Sequence, residues 1–336
     1  MSKKKNETAA TRILTVTANP SIDTTATVDL VIAEAKLRCA SPSHLPGGGG
    51  INVSRAIREL GGSSTAIYPA GGYYGGLLKH LLDVEGLSHL PLDIEDLTRE
   101  DLIVLEKSTG RQFRFGMPGP LMKETDIKRM LEAIRSISPK PHYVVASGSL
   151  PPGAPQDFYA RVADVSREIG ARLIVDTSGR PLQIAARSDL FILKPNLREL
   201  AQIIGHDIRD ETEIRPAARS VLETGGSEAV VVSLGPVGAL LVTKSESLFV
   251  RAPAVRVVSR VGAGDSLVAG IVFSLSQGAS LEDSVRYGVA SSSAAVMSPD
   301  IQLCRHRDVE RLYKVIRTDP TQGDPPSRTV TGGELL

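Results

Sequence analysis

The chain has 336 residues, 41% of them hydrophobic, which suits one large α/β domain or two ordinary ones and excludes disorder of the whole. Lys and Arg number 39 against 38 Asp and Glu, a net charge of +1, so no global field draws the protein to nucleic acid or to an anionic membrane, and an anionic ligand must be held by local groups. The two cysteines, Cys39 and Cys304, lie far apart with no CxxC and no histidine at ligand spacing, which argues against a disulfide framework or structural zinc and for a reducing, cytoplasmic setting.

Residues 1–11 carry Lys3-Lys4-Lys5 but no apolar run of the kind a secretory signal needs, and read as a flexible tail. Ile13 to Thr17 reads as a buried strand, ended by the turn chemistry of Asn19-Pro20, with Asp23 following at its exit. The Thr-, Val- and Ala-rich stretch to His44 suggests short strands that leave the core and return. After Gly47-Gly48-Gly49-Gly50, the residues Val53, Ala56, Ile57 and Leu60 repeat at helical spacing until Gly61-Gly62. A strand over 65–68, a helix over 77–82 and a hairpin over 101–116 turning at Thr109-Gly110 come next.

The middle of the chain alternates regularly. A helix over 124–136 precedes a strand over 143–146, and a helix over 155–169 precedes one over 173–176; then come the strand 191–193, helices over 197–204 and 211–224, and a strand over 229–233. Apolar runs without alternation suit strands covered on both faces, and the intervening helices imply parallel crossovers. The fold class is therefore α/β, with a central, mostly parallel sheet wrapped by helices. The excursions at about 23–46 and 97–117 read as a small β-lid over it. Asp23, the glycine run, Ser149, Asp176, Lys194, Asn196 and Ser233 all fall after predicted strands or at loops feeding helices, where open α/β sheets bind ligands. No stretch approaches the ~20 apolar residues of a membrane span, and the Pro- and Gly-rich segment 318–336 reads as a second flexible tail.

Val261-Gly262-Ala263-Gly264-Asp265-Ser266 then sets an acid behind small residues, ahead of Leu267, Val268, Ile271, Val272 and Leu275 at helical spacing. Small residues let backbone N–H groups of a first helical turn close on a phosphate, where the helix dipole adds about half a positive charge. An aspartate beside that hole can take a proton from an attacking hydroxyl. The plainer reading, a tight turn with a helix cap, stays open for the tetrapeptide alone. No G-x-x-x-x-G-K-[ST] loop occurs, and His306-Arg307-Asp308 lacks the companions of a protein-kinase site and reads as a helix start.

Pro46 to Ala56, Lys194-Pro195-Asn196-Leu197-Arg198-Glu199, Ser233-Leu234-Gly235-Pro236-Val237-Gly238 and Val261 to Gly270 stand in an order that resembles the ribokinase-like, PfkB-type family of carbohydrate kinases, from about residue 12 to 314. Ala35 to Cys39, Thr98-Arg99, Phe113-Arg114-Phe115 and Ser147 to Gly153 resemble its hexose-phosphate branch. The resemblance implies a three-layer α/β/α domain over 12–317. It implies phosphoryl transfer from ATP to fructose 6-phosphate, with tagatose 6-phosphate and fructose 1-phosphate as neighbouring substrates. By the same resemblance Asp265 is the proton acceptor and Gly262, Ala263 and Gly264 stabilise the transferring group; a carboxylate of ordinary pKa, roughly 4, suffices if well placed.

Asp23, Gly48, Gly49, Gly50, Asn52 and Ser149 carry over as sugar contacts, and Lys36 and Arg99 as clamps on the substrate's existing phosphate. Lys194, Asn196, Ser233, Gly235, Gly238 and Ser293 carry over to the ATP site. Glu199 with Asn196 carries over as the pair organising Mg²⁺, partly through water, with Asp176 in support. Members of the family often hold a monovalent cation near this loop and the 295–302 segment, so the resemblance implies K⁺ as a candidate; Ser259-Arg260 departs from the Asp-Thr that many of them carry there, which bears on ion binding more than on catalysis. A homodimer joined through the lid is expected likewise. The rival of another class is a nucleotide and sugar-phosphate sensor without turnover; a nucleoside kinase is disfavoured by a lid that offers cations in place of stacking aromatics.

Overall fold

The computed structural model describes residues 12–298 and 303–319. In chain order it builds β1 (Ile13–Val16), β2 (Ser21–Val28), β3 (Ser43–Gly47), α1 (Gly49–Glu59), β4 (Thr65–Ala70), α2 (Gly72–Val84), β5 (Ser88–Asp93), β6 (Arg99–Glu106) and β7 (Gln112–Phe115). There follow α3 (Glu124–Ser136), β8 (Tyr143–Ser147), α4 (Phe158–Glu168), β9 (Arg172–Asp176), α5 (Gly179–Ala185), β10 (Ile192–Leu193), α6 (Leu197–Ile204), α7 (Ile214–Thr224) and β11 (Ala229–Ser233). The remainder holds β12 (Gly238–Thr243), β13 (Ser247–Arg251), α8 (Ala263–Ser276), α9 (Leu281–Ala295), α10 (His306–Tyr313) and β14 (Thr318–Asp319).

Two sheets result, a large one in the order β14-β13-β12-β11-β10-β9-β8-β1-β4-β5 and a lid in the order β3-β2-β6-β7. From β11 to β5 every pairing in the large sheet is parallel, whereas β12, β13 and β14 add to its far edge in antiparallel fashion. Alternate residues of the parallel strands serve opposite cores. Leu14, Val16, Val144, Val175 and Val232 pack with α3 to α7, while Ile13, Val145, Ile174 and Val231 pack with α1, α8, α9 and α10. This double burial explains why the strands read as unbroken apolar runs. Beyond its first turn helix α8 is largely buried, and its approach to α9 depends on small residues: a methyl on Gly270 would stand 2.8 Å from Ser291 Cβ and 2.9 Å from Gly288 Cα.

Several elements depart from expectation for identifiable reasons. β5, not assigned from sequence, carries Pro91 and takes the edge of the sheet, where a missing N–H is best accommodated. The helix expected over 211–224 opens as a 3₁₀ turn capped by Asp210, and α7 proper starts at Ile214. Helix α2 begins at Gly72, well ahead of the expected 77. Segments 238–251 and 281–295, not assigned from sequence, are β12, β13 and α9; the last lacks a clear apolar stripe because small Ala and Ser side chains are buried on several sides. Residue 23 lies inside β2 and not at the exit of β1. The expected C-terminal tail opens with Thr318–Asp319, which pairs with Phe249 and Val250 as β14; its remainder and the expected tail 1–11 lie outside the described residues.

Candidate active site

Helices α1 and α8 start beside one another at the carboxyl ends of the strands. Gly48 caps α1 at φ 109°, a backbone state that side chains resist. A methyl on Gly50 would stand 2.6 Å from both Val16 O and Thr17 Oγ1, and one on Gly49 would meet the Ser147 side chain and Gly148 N at 2.7 Å. The glycine run is thus what lets α1 begin wedged between the ends of β1 and β8, where Thr17 Oγ1 accepts from Ile51 N at 2.9 Å. Gly262, at φ 74°, starts α8 with no side-chain cap, so the first-turn N–H groups of Ala263, Gly264 and Asp265 are directed out of the helix toward the cleft.

Asp265 stands in that first turn, and its Oδ2 accepts a hydrogen bond from Asn52 Nδ2 of α1 at 3.0 Å. Asn52 is buried, and its Oδ1 has no protein partner. Lys194, buried at the end of β10, pairs with Asp176 Oδ1 at 3.0 Å. Burial pushes the Asp265 carboxyl up to about 7, with the Asp176 and Asp23 charges adding to the rise and the Asn52 hydrogen bond and Lys194 opposing it. The ordinary value of roughly 4 read from sequence is therefore corrected: a carboxyl deprived of water and set near two other acids holds its proton longer. For Lys194 burial pulls the other way, but Asp176, Glu199 and Asp265 outweigh it and keep the ammonium charged.

The lid supplies the opposite wall. Ser21 Oγ donates to Asp23 Oδ1 at 2.7 Å, and burial raises the Asp23 pKa, against Ser21 and the nearby Arg99 and Arg114. Arg99 pairs with Asp101 Oδ2 at 2.9 Å, donates to Met117 O at 3.2 Å, and has a buried Nε without a partner. Asn19 Nδ2 donates to Ser149 Oγ at 3.2 Å, while Asn19 Oδ1 is unpartnered. On the third side, Asn196 and Glu199 cap α6 reciprocally, with Asn196 Oδ1 accepting from Glu199 N at 2.9 Å and Asn196 N donating to Glu199 Oε2 at 2.8 Å. Burial raises the Glu199 pKa, opposed by that amide and by Lys194. Asn196 bridges to Ser233, after which Gly235 (φ 56°) and Gly238 (φ 131°) bracket a 3₁₀ turn.

Two expected residues lack polar contacts with the rest of the set. Lys36 lies exposed on the loop between β2 and β3, and Ser293 is buried in α9; among the described residues neither is tied to the rest by a hydrogen bond or ion pair. Val258 and Ser259 donate to Val296 O at 2.7 and 3.2 Å, joining the approach to α8 with the end of α9; residues 299–302 of the segment expected to help hold K⁺ lie outside the described residues. Sequence reasoning missed Asn19 and Asp101. A signal for Asp101 existed: two residues after Arg99 in a strand, it shares Arg99's face.

The sequence profile described as pfkB family carbohydrate kinase matches residues 16–307. The ATP-dependent 6-phosphofructokinase isozyme 2 of Mycobacterium tuberculosis H37Rv is 43% identical over 311 residues, 93% of this chain and 91% of that protein. Phosphofructokinase-2 from Escherichia coli, solved in complex with potassium, superposes with a TM-score of 0.87 at 40% identity, covering 90% of this chain and 98% of that one. A structure described as its tetrameric inhibited form gives 0.85 at the same identity and coverage.

Proposed function

This chain belongs to the pfkB family of carbohydrate kinases, and from that premise we propose that it transfers the terminal phosphoryl group of ATP to fructose 6-phosphate, yielding fructose 1,6-bisphosphate and ADP. The observation that carries the reading is the Asn52–Asp265 hydrogen bond, which holds a desolvated carboxylate in the first turn of an uncapped helix. In this reading Asp265 accepts the proton of the sugar hydroxyl as the first-turn N–H groups of Gly262 to Asp265 stabilise charge on the transferring group. A base with a pKa near 7 is half ionised at neutral pH, close to the optimum for general-base work.

Asp23, Asn52, Ser149 and the glycine run orient the sugar, while Arg99 and Lys36 hold its phosphate, Lys36 from the exposed loop between β2 and β3. Lys194, Asn196, Ser233, Gly235, Gly238 and Ser293 serve ATP. Among the described residues no three His, Cys, Asp or Glu side chains cluster as a metal cage, which fits Mg²⁺ bound with much of its hydration shell and through phosphate oxygens. Glu199 has one oxygen engaged in its helix cap and Oε1 left for a bound water. The ion supplies neutralisation of phosphate charge. Potassium belongs beside the segment leading into α8, and stimulation of turnover by KCl tests it. A second copy joined lid to lid is supported by exposed Ile32 and Phe115 in the lid and Met117 just after it; light scattering that finds monomer alone would remove it.

A coupled assay over fructose 6-phosphate, tagatose 6-phosphate, fructose 1-phosphate and free fructose tests the reaction. Preference for fructose 6-phosphate is expected. Tight binding of both ligands without turnover would instead establish the sensor.

A further inference from the structure

In lid strands β2 and β6 successive side chains turn to opposite faces of the sheet. Ser21 and Asp23 of β2 share a face with Arg99 and Asp101 of β6, as their mutual contacts record, and the register sets Ser21 opposite Arg99 and Asp23 opposite Asp101. Their neighbours Ile22, Thr24 and Glu100 turn the other way. Ile22 is completely buried against Leu78 and Leu82 of α2, an element of the main domain.

On that reverse face one carboxylate joins lid and body. Glu100 Oε2 accepts from Tyr74 OH of α2 at 2.5 Å, and Glu100 Oε1 accepts from Thr24 Oγ1 of β2 at 2.5 Å. Thr24 is buried and also meets His44 Nδ1 of β3 at 2.8 Å, so the chain Tyr74–Glu100–Thr24–His44 crosses from the main domain through three lid strands. Hydroxyl donors to an ionised carboxylate make short, strong bonds. The hydrogen bonds from Thr24 and Tyr74 hold the Glu100 pKa below the usual carboxylate range, and Glu100 in turn raises that of Tyr74. Glu100 is adjacent in sequence to Arg99, and Thr24 to Asp23. A shift of Glu100 therefore moves both residues that face the sugar phosphate.

We propose that Glu100 is a positioning residue, which through Tyr74 and Thr24 sets the lid against α2 and thereby holds Asp23 and Arg99 over the cleft. It touches no reacting atom, and the inference rests on the sugar-phosphate kinase reading above. The test uses the full chain with Glu100→Gln, which keeps shape and removes charge, with Tyr74→Phe, which removes only the donor, and with the double variant. KM for fructose 6-phosphate is expected to rise about tenfold in either single variant. Because both changes act on the same Tyr74–Glu100 contact, one by removing its charge and one by removing its donor, the double variant should lose less than the sum of the two single effects. Turnover at saturation and KM for ATP should stay within about twofold of the parent. Amide hydrogen exchange over residues 21–28 and 99–106, measured without substrates, should quicken in both variants while that of β8 and β9 does not.

An unchanged KM for the sugar phosphate overturns the inference, as do additive effects or a loss shared equally with ATP. A parent enzyme that turns over no sugar phosphate sinks the assigned reaction instead. Lid exchange then decides alone, and unaltered exchange in both variants overturns the positioning role as well.

Discussion

Replacing Asp265 by Asn should impair the enzyme and strengthen the fold at once. Asn is isosteric and its carbonyl can still accept from Asn52 Nδ2, so the bond across α1 and α8 survives while the base is lost. General-base contributions run to roughly 10²–10⁴ in rate, and kcat should fall by that order. The stability change follows from linkage. The Asp265 carboxyl is pushed up to about 7 from an ordinary 3.8, so the folded state holds this proton more tightly than the unfolded chain. That preference is a full contribution below pH 3.8 and is lost as pH rises through about 7. At 1.36 kcal/mol per pH unit, ionising Asp265 in the fold costs at most about 4 kcal/mol by pH 8. Part of the residue faces the cleft, where water relieves the penalty, and about 2 kcal/mol is the working expectation. Chemical denaturation of parent and variant at pH 5 and pH 8 should therefore show an advantage for the Asn form that grows with pH. Normal turnover by the variant would refute the base assignment, and an advantage that shrinks as pH rises would refute the electrostatic account.

Arg99→Ala should raise KM for the sugar phosphate by a factor on the order of ten to a hundred with kcat changed far less, as expected for a lost charge-assisted phosphate contact; steady-state kinetics with an unmoved KM would remove Arg99 from the clamp. Asp176→Asn takes away the charge that, after burial, most raises the Asp265 pKa, so the midpoint of the kcat/KM–pH profile should move to the acid side of 7, and movement to the alkaline side would contradict the coupling. Gly50→Ala sets a methyl 2.6 Å from Val16 O and Thr17 Oγ1, which should displace the start of α1, cost about 1–3 kcal/mol and lower turnover; parental Tm and rate together would show that the wedge tolerates a side chain.

The α/β architecture was legible because a strand covered on both faces must be apolar throughout, and Val144-Val145-Ala146 or Val230-Val231-Val232 cannot be written otherwise. Helices with one exposed face, such as α3 and α6, declared themselves by period, and α6 also by its Asn196–Glu199 cap. Helix α9 did not, because its small residues are buried on several sides and leave no stripe. In the site, Gly48 to Gly50 and Gly262 to Asp265 were visible as local chemistry, since what they supply is backbone shape within a few residues.

Relations between distant segments needed the folded chain. The contact of Asn52 with Asp265 spans 213 positions. The shared carboxylate of Glu100 and the exposure of Lys36 likewise depend on where separate strands and loops come to lie. A residue's type sets its ordinary pKa, but water exclusion and neighbouring charge are properties of assembled neighbours. An aspartate near 4 in the sequence thus becomes a base near 7 only in the cleft between two helices.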